Sequence, residues 1–237
     1  MADTGPGIPD GLPFQFPDPP IPRFPDLLST LTVVRKGREV AMASDALTTF
    51  EDTRLPPSND AAPEKIIQVG DALVGVVGYT AHFLVLERAL RELRAPDFTS
   101  RAGLFETFRA LHPILKEEYY LLPEAEEGDP YESSQATVLV ASPHGIFGVY
   151  DLREVHEYRH YWAMGSGMPF ALGAMWARYG EDELSAEAIA TLGVEAGAEF
   201  DRSSAPPVYV HTIPVADGPP PAPRAVRTRR PPTRPRG

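Results

Sequence analysis

Residues 29–45, with the sequence STLTVVRKGREVAMASD, decide the fold class of this chain. Two β-prone runs, 31–34 and 40–43, flank a Lys-Gly-Arg sequence that favours a tight turn, so they predict an antiparallel hairpin. The same pattern returns at 66–69 and 72–78, around a Gly-Asp turn. We therefore expect the domain to open with two hairpins rather than with a strand that leads into a crossover helix.

The apolar period then changes from that of a strand to that of a helix. Two successive helices are predicted by these positions: Phe83, Leu86, Leu90 and Leu93, then Leu104, Phe108, Leu111 and Leu115. Strands are expected at 136–141 and 146–150, then a helix over 166–179, another helix capped by Ser185, and a last strand at 208–213. Consecutive helices between hairpins do not suit an alternating βαβ sheet. They favour antiparallel sheets with helices layered outside the sheets.

Composition narrows the class of protein. The chain has 237 residues, enough for one large domain, and no cysteine, which excludes disulfides, thiolate catalysis and cysteine-ligated zinc. Its net charge of −11 argues against nucleic-acid binding. The sequence shows no apolar run of the roughly 20 residues that a membrane helix needs, and its start does not read as a secretory signal. We expect a cytoplasmic protein with no nucleic-acid or membrane partner.

Both ends of the chain differ in composition from its middle. Residues 1–28 are rich in proline, and residues 216–237 combine proline with arginine. Proline-rich segments favour extended conformations and join neither helices nor central strands. We therefore expect an N-terminal extension or propeptide over 1–28, a compact domain over 29–215, and a disordered tail over 216–237.

An ordered set of motifs resembles that of proteasome β-subunits and of the bacterial peptidase HslV, and most of all that of bacterial proteasome homologues. The motifs are 29–45, 64–67 (EKII) with 74–78 (VGVVG), 164–173 (MGSGMPFALG) and 201–204 (DRSS). The resemblance implies an α+β fold, a four-layer αββα N-terminal-nucleophile hydrolase sandwich of antiparallel sheets. It also implies a self-compartmentalising peptidase that acts on peptides, forms a homo-oligomeric double ring of six or seven subunits per ring, and works with an ATP-driven unfoldase.

The resemblance also implies roles for particular residues. Those matched to the family are Asp45, the catalytic Lys65, Ser166 and the oxyanion-side Gly167 of the Gly-Ser-Gly turn, and Asp201 with Ser204, which steady the amine. A hydroxyl is a weak nucleophile until a base takes its proton. The chain's own free α-amine, with a pKa of about 7.7–8.0, can be that base. Because the amine is free only after the preceding bond is cut, self-cleavage would activate the precursor.

The nucleophile is left between two neighbouring residues. The family's spacing, counted back from Asp45, gives Ser29, whereas Thr30 leads if the first hairpin is one residue shorter. Leu28 occupies the position before the cut, where the family usually has glycine. If residues 1–28 stay attached, the chain is a catalytically inactive ring-forming homologue. A third alternative is an amidase that acts on small molecules, as other members of the superfamily do.

No cofactor and no metal ion are expected. His156 and His160 have the i, i+4 spacing that can place two zinc ligands on one face of a helix. The aromatic residues around them, Tyr158, Tyr161 and Trp162, indicate strand alternation instead.

Overall fold

The computed structural model describes residues 28–50, 52–122 and 129–218. Its strands are β1 Leu31–Lys36, β2 Glu39–Ser44, β3 Thr48–Phe50, β4 Thr53–Leu55, β5 Ile66–Val69, β6 Ala72–Val77, β7 Thr137–Ser142, β8 Gly145–Val149, β9 Val155–Tyr158, β10 Tyr161–Met164 and β11 Tyr209–Pro214. Its α-helices are α1 Ala81–Glu92, α2 Arg101–Glu117, α3 Met168–Arg178 and α4 Ala186–Phe200, and a short 3-10 helix spans Pro57–Asn59.

Two antiparallel sheets form the centre of the domain. One has the strand order β10-β1-β2-β11, and the other has the order β5-β6-β7-β8-β9. In the first sheet, β1 pairs Leu31 with Ser44 of β2 on one side and with Met164 of β10 on the other. A separate small hairpin joins β3 to β4. The start of β1 therefore lies between two strands, and this fixes the position of the residues just before it.

Three apolar clusters show that the domain has four layers. The first cluster joins α1 and α2 to the five-stranded sheet, and Leu86 and Val140 belong to it. The second lies between the two sheets and contains Val33 of β1 and Leu139 of β7. The third joins α3 and α4 to the four-stranded sheet. The order of layers is helix, sheet, sheet, helix, which confirms the predicted αββα sandwich.

The side-chain alternation of β1 and β2 explains why the first sheet can be covered on both faces. Leu31 and Val33 of β1 belong to the cluster between the sheets. Residues of opposite parity face α4, where the Thr32 hydroxyl donates to the carbonyl of Ala190 at 2.9 Å. In β2, Ala41 and Ala43 lie on this side as well. Small side chains there allow the helix to approach the sheet closely.

The predicted elements of the central domain are confirmed, with additions. The cap at Ser185 is present, because its side chain accepts the N–H of Ala188 at 3.1 Å. Helix α3 begins at Met168, two residues later than predicted, with Gly167 as its N-cap. The hairpin β3–β4 and the pairing of β9 and β10 with the two sheets were not predicted.

Most of the two terminal segments lies outside the described residues. The expected extension over 1–28 is described only at Leu28, and the expected tail over 216–237 only as far as Gly218. In the part of the chain that is described, the helices are all too short or too polar to cross a membrane.

Candidate active site

Lys65 directs its ammonium group at three different acceptors just before β5 begins. Its Nζ donates to Ser29 Oγ at 2.8 Å, to Asp45 Oδ1 at 2.7 Å and to the carbonyl of Leu47 at 2.7 Å. A lysine ammonium has three protons and accepts none, so Ser29 Oγ is the acceptor in this contact. The proton of the Ser29 hydroxyl therefore remains available to a base.

The carboxylate of Asp45, directly after β2, is buried and fully hydrogen-bonded. Its Oδ1 accepts the N–H of Thr30 at 3.0 Å beside the contact with Lys65. Its Oδ2 accepts the N–H groups of Leu47 at 2.9 Å and Ala205 at 3.2 Å. The side chain of Asp45 is 0% exposed and that of Lys65 13% exposed. A buried charge is tolerable when it is paired and hydrogen-bonded, and this ion pair meets both conditions.

Two opposing effects set the charge state of Lys65. Burial lowers the pKa of the ammonium group, while the charge of Asp45 and its hydrogen bond raise it again. Asp201 adds a smaller attraction in the same direction as Asp45. The net result is a pKa below the ordinary lysine value. A cation held against a hydroxyl in this way favours the alkoxide form of that hydroxyl.

A second set of hydrogen bonds lies on the amine side of Ser29. The backbone N–H of Ser29 donates to Ser166 Oγ at 3.3 Å. Ser166 follows β10, and its hydroxyl donates to Asp201 Oδ2 at 2.8 Å. Asp201 is the C-cap residue of α4, and the same carboxylate oxygen accepts the hydroxyl of Ser204 at 2.7 Å. The nitrogen of Ser29 is thus connected to a carboxylate through one hydroxyl.

The hydroxyl of Thr30 lies away from Lys65. Thr30 is 0% exposed, and its Oγ1 is 2.7 Å from Ser204 Oγ. Consecutive residues of an extended chain point their side chains to opposite sides. The two candidate nucleophiles therefore occupy different environments: the Ser29 hydroxyl contacts Lys65, and the Thr30 hydroxyl contacts Ser204.

The Gly-Ser-Gly turn brings backbone against the carbonyl of Ser29. Gly165 has a φ of 99°, and a Cβ at this position would lie 2.1 Å from that carbonyl oxygen, so only glycine fits. The N–H of Gly167 donates to the same oxygen at 3.2 Å. The Gly167 N–H is therefore engaged by the carbonyl of Ser29, and its expected role as an oxyanion donor stays a prediction.

The structure brings together all eight residues selected from the sequence. Their hydrogen bonds and backbone contacts form one continuous group around Ser29, although the eight come from positions spread between 29 and 204. Sequence reasoning missed the carbonyl of Leu47, the tight approach of Gly165 and the packing of Gly197 against Thr30. Backbone contacts of this kind leave little trace in the sequence beyond the glycines themselves. Among the described residues, no cluster of histidine and carboxylate side chains could hold a metal ion.

This arrangement can support chemistry at one hydroxyl. It provides Ser29 Oγ with a fixed cation on one side, and it connects the nitrogen of the same residue to a carboxylate on the other. If that nitrogen were a free amine, the hydroxyl and its base would belong to a single residue. The four-layer sandwich with its helices outside two antiparallel sheets is the architecture of the N-terminal-nucleophile hydrolases.

Solved structures identify the family within that class. The chain is 42% identical to Thiobacillus denitrificans BPH, a bacterial proteasome homologue, over 80% of this chain and 100% of that chain, with a TM-score of 0.75. BPH in complex with epoxomicin gives 41% identity over 79% and 99% of the two chains, with a TM-score of 0.74. This chain therefore belongs to the proteasome-like peptidase family that includes BPH.

A more distant structure shares the fold. Eukaryotic HslV from Trypanosoma brucei is 22% identical over 77% of this chain and 98% of that chain, with a TM-score of 0.57. Neither protein-family models nor curated proteins gave a match.

Proposed function

We propose that this chain is an N-terminal-nucleophile peptidase in which Ser29 is the nucleophile, freed by self-cleavage of the Leu28–Ser29 bond. The observation that carries the proposal is the 2.8 Å contact between Lys65 Nζ and Ser29 Oγ. The lysine is held by a buried carboxylate, so the cation stays in place while negative charge develops on the hydroxyl oxygen. Thr30 Oγ1 contacts Ser204 instead of the lysine, which favours Ser29 over Thr30 as the nucleophile.

The backbone conformation of Ser29 supports the proposal of self-cleavage. This residue has a φ of 147°, which is rare for a residue with a side chain. In the proposed step, Ser29 Oγ attacks the carbonyl carbon of Leu28, the C–N bond to Ser29 breaks, and the nitrogen takes the hydroxyl proton. Water then hydrolyses the resulting ester to leave the Leu28 carboxylate, a free Ser29 hydroxyl and a free amine. Cutting this bond also removes the restraint on φ.

Peptide hydrolysis would follow the same route with a different carbonyl. The free amine of Ser29 takes the hydroxyl proton as Oγ attacks the scissile carbonyl, and then passes it to the nitrogen of the departing peptide. Water hydrolyses the acyl ester and restores the hydroxyl. Asp201 and Ser204, acting through Ser166, hold the amine in position, and Lys65 stabilises the charge on Oγ.

Assembly into rings is the second part of the proposal. Both helix layers expose large apolar side chains: Leu84 of α1, Phe105 of α2, and Phe170, Trp176 and Phe200 of α3 and α4. Exposed apolar faces of this kind favour burial against further subunits. We infer a homo-oligomeric double ring of six or seven subunits per ring in the cytoplasm, supplied with unfolded peptide by an ATP-driven unfoldase. Light scattering during size-exclusion chromatography tests this, and a stable monomer at micromolar concentration refutes it.

Peptidase activity is tested with fluorogenic peptides on the full chain, together with Ser29→Ala and Ser29→Thr. We expect hydrolysis by the wild type and by Ser29→Thr, which keeps a hydroxyl, and none by Ser29→Ala. Epoxomicin, found bound to BPH, is expected to inhibit the two active forms. Activity that survives in Ser29→Ala refutes the proposed nucleophile. An uncut, inactive ring in the wild type would instead support the alternative, a structural homologue that retains residues 1–28.

A further inference from the structure

The buried hydroxyl of Thr30 lies at the far end of the hydrogen bonds that reach the nitrogen of Ser29. We propose that Thr30 is a positioning residue, whose hydroxyl orients Ser204 and thereby fixes the Asp201 carboxylate that holds the nucleophile's amine through Ser166. This inference rests on the proposed function, because it assigns a task at the same site. It gives Thr30 a role other than that of a competing nucleophile.

The directions of the hydroxyl protons follow from the geometry. Ser204 has one hydroxyl proton, and it goes to Asp201 Oδ2 at 2.7 Å. The 2.7 Å contact between Thr30 Oγ1 and Ser204 Oγ must then be donated by Thr30. Every hydroxyl proton in this chain of contacts therefore points toward the carboxylate, and Ser204 cannot turn away without losing its donor.

The proton of Ser166 goes to the same carboxylate oxygen, Asp201 Oδ2, that accepts from Ser204. Its hydroxyl has a 2.8 Å contact with Asp201 Oδ2 and a longer 3.4 Å contact with the carbonyl of Ser29. The shorter, charge-assisted bond is the stronger one. Ser166 Oγ is thereby left to accept from the nitrogen of Ser29 at 3.3 Å.

The backbone of Thr30 connects this group to the lysine side of the site. Its N–H donates to Asp45 Oδ1 at 3.0 Å, and its carbonyl accepts the N–H of Asp45 at 3.1 Å. Thr30 is thus tied to Asp45 through its main chain and to Asp201 through its side chain and Ser204. Thr30 therefore joins the two carboxylates on either side of Ser29 by a route that does not pass through Lys65.

Two glycines enclose the Thr30 side chain. A Cβ on Gly167 would lie 1.9 Å from Oγ1, and a Cβ on Gly197 would lie 2.3 Å from Oγ1 and 2.6 Å from Cγ2. The Thr30 side chain therefore occupies space that is free only because both neighbouring residues are glycines. In this space the hydroxyl lies 2.7 Å from Ser204 Oγ.

A matched pair of substitutions separates the hydroxyl from the shape of the side chain. Thr30→Val keeps the shape and removes the hydroxyl, whereas Thr30→Ser keeps the hydroxyl and removes the methyl group. We measure kcat and KM for peptide hydrolysis with the full chain, and divide each rate by the fraction of chains that intact mass shows to begin at Ser29. We expect kcat of Thr30→Val to fall about ten-fold with KM unchanged, and kcat of Thr30→Ser to stay within about two-fold of the wild type.

A double-mutant comparison tests the route through Ser204. If Thr30 acts through that residue, Thr30→Val should lower kcat no further in a Ser204→Ala background. A loss that multiplies in the double variant refutes this route, and so does an unchanged kcat in Ser204→Ala, which still applies if Thr30→Val fails to fold. Equal kcat for Thr30→Val and the wild type, or a larger loss in Thr30→Ser, refutes the hydroxyl's role while leaving the proposed function intact. An inactive wild type refutes both.

Discussion

Replacing Asp45 with alanine should destabilise the folded chain more than any loss of a surface charge. The substitution removes the acceptor of one ammonium and three backbone N–H groups, all around a side chain that is 0% exposed. Lys65 would remain buried without its counter-ion. Breaking a buried ion pair from one side typically costs about 3–5 kcal/mol. With a urea m-value of about 2–3 kcal/mol/M, the unfolding midpoint should fall by roughly 1–2.5 M.

The effect of Asp45→Ala should also depend on pH. Without the carboxylate, burial lowers the pKa of Lys65 further below the value of about 10.4 expected in the unfolded chain. Between these two pKa values the unfolded chain binds more protons, so the free energy of unfolding of the variant rises with pH. Part of the stability lost at pH 7 should therefore return toward pH 10.

Urea unfolding followed by tryptophan fluorescence measures this prediction at a fixed subunit concentration. The matched control is Asp217→Ala, which breaks the exposed ion pair with Arg38 at 2.6 Å. An exposed pair contributes little, so its midpoint should barely move. If Asp45→Ala and Asp217→Ala unfold at the same urea concentration, the reasoning about the buried pair is wrong.

Three further predictions follow from the same geometry. Lys65→Ala should abolish self-cleavage and peptide hydrolysis, because Ser29 Oγ loses its cation. The control Lys116→Ala, which removes a lysine paired with Glu132 outside the site, should keep both. Activity in Lys65→Ala removes this lysine from the mechanism. The rate of hydrolysis should fall in acid as the free amine, with a pKa of about 7.7–8.0, is protonated. It should also fall in alkali as Lys65 loses its proton, at a pH below about 10.4 because burial lowers the pKa of this lysine. A rate that stays constant through pH 10.4 contradicts this. Gly197→Ala should lower the free energy of unfolding by about 1–3 kcal/mol, measured by thermal or urea unfolding, because the added Cβ crowds Thr30. The control is Gly173→Ala in helix α3, where an added Cβ would meet no atom within 4 Å, so this change should be neutral or stabilising. Equal stability of the two variants contradicts the packing argument.

The order of the elements was predictable from local pattern. The turn between β1 and β2, the helical spacing of Leu86 and Leu90, and the cap at Ser185 are each set by neighbouring residues. The pairing of β10 with β1 was not predictable in this way, because paired residues such as Met164 and Leu31 are far apart in the sequence. Resemblance to a family, rather than periodicity, supplied the four-layer arrangement.

The site shows the same division between local and distant information. Asp45 and Lys65 could be selected because they match residues in the motifs of the family that the sequence resembles. The choice between Ser29 and Thr30 could not be made, because it depends on whether the first hairpin is one residue shorter than in the family. A shift of one residue turns each side chain to the opposite side of the chain. Contacts such as Lys65 with the carbonyl of Leu47 depend on backbone geometry, which is not visible in residue types.

The N-terminus of the purified full-length chain is the most direct test of the central claim. Intact mass and N-terminal sequencing should show that the wild type begins at Ser29 and that Lys65→Ala still begins at Met1. A wild type that begins at Thr30 would transfer the nucleophile to that residue. A wild type that retains residues 1–28 after assembly would contradict self-cleavage, and with it the proposal that this site is a peptidase.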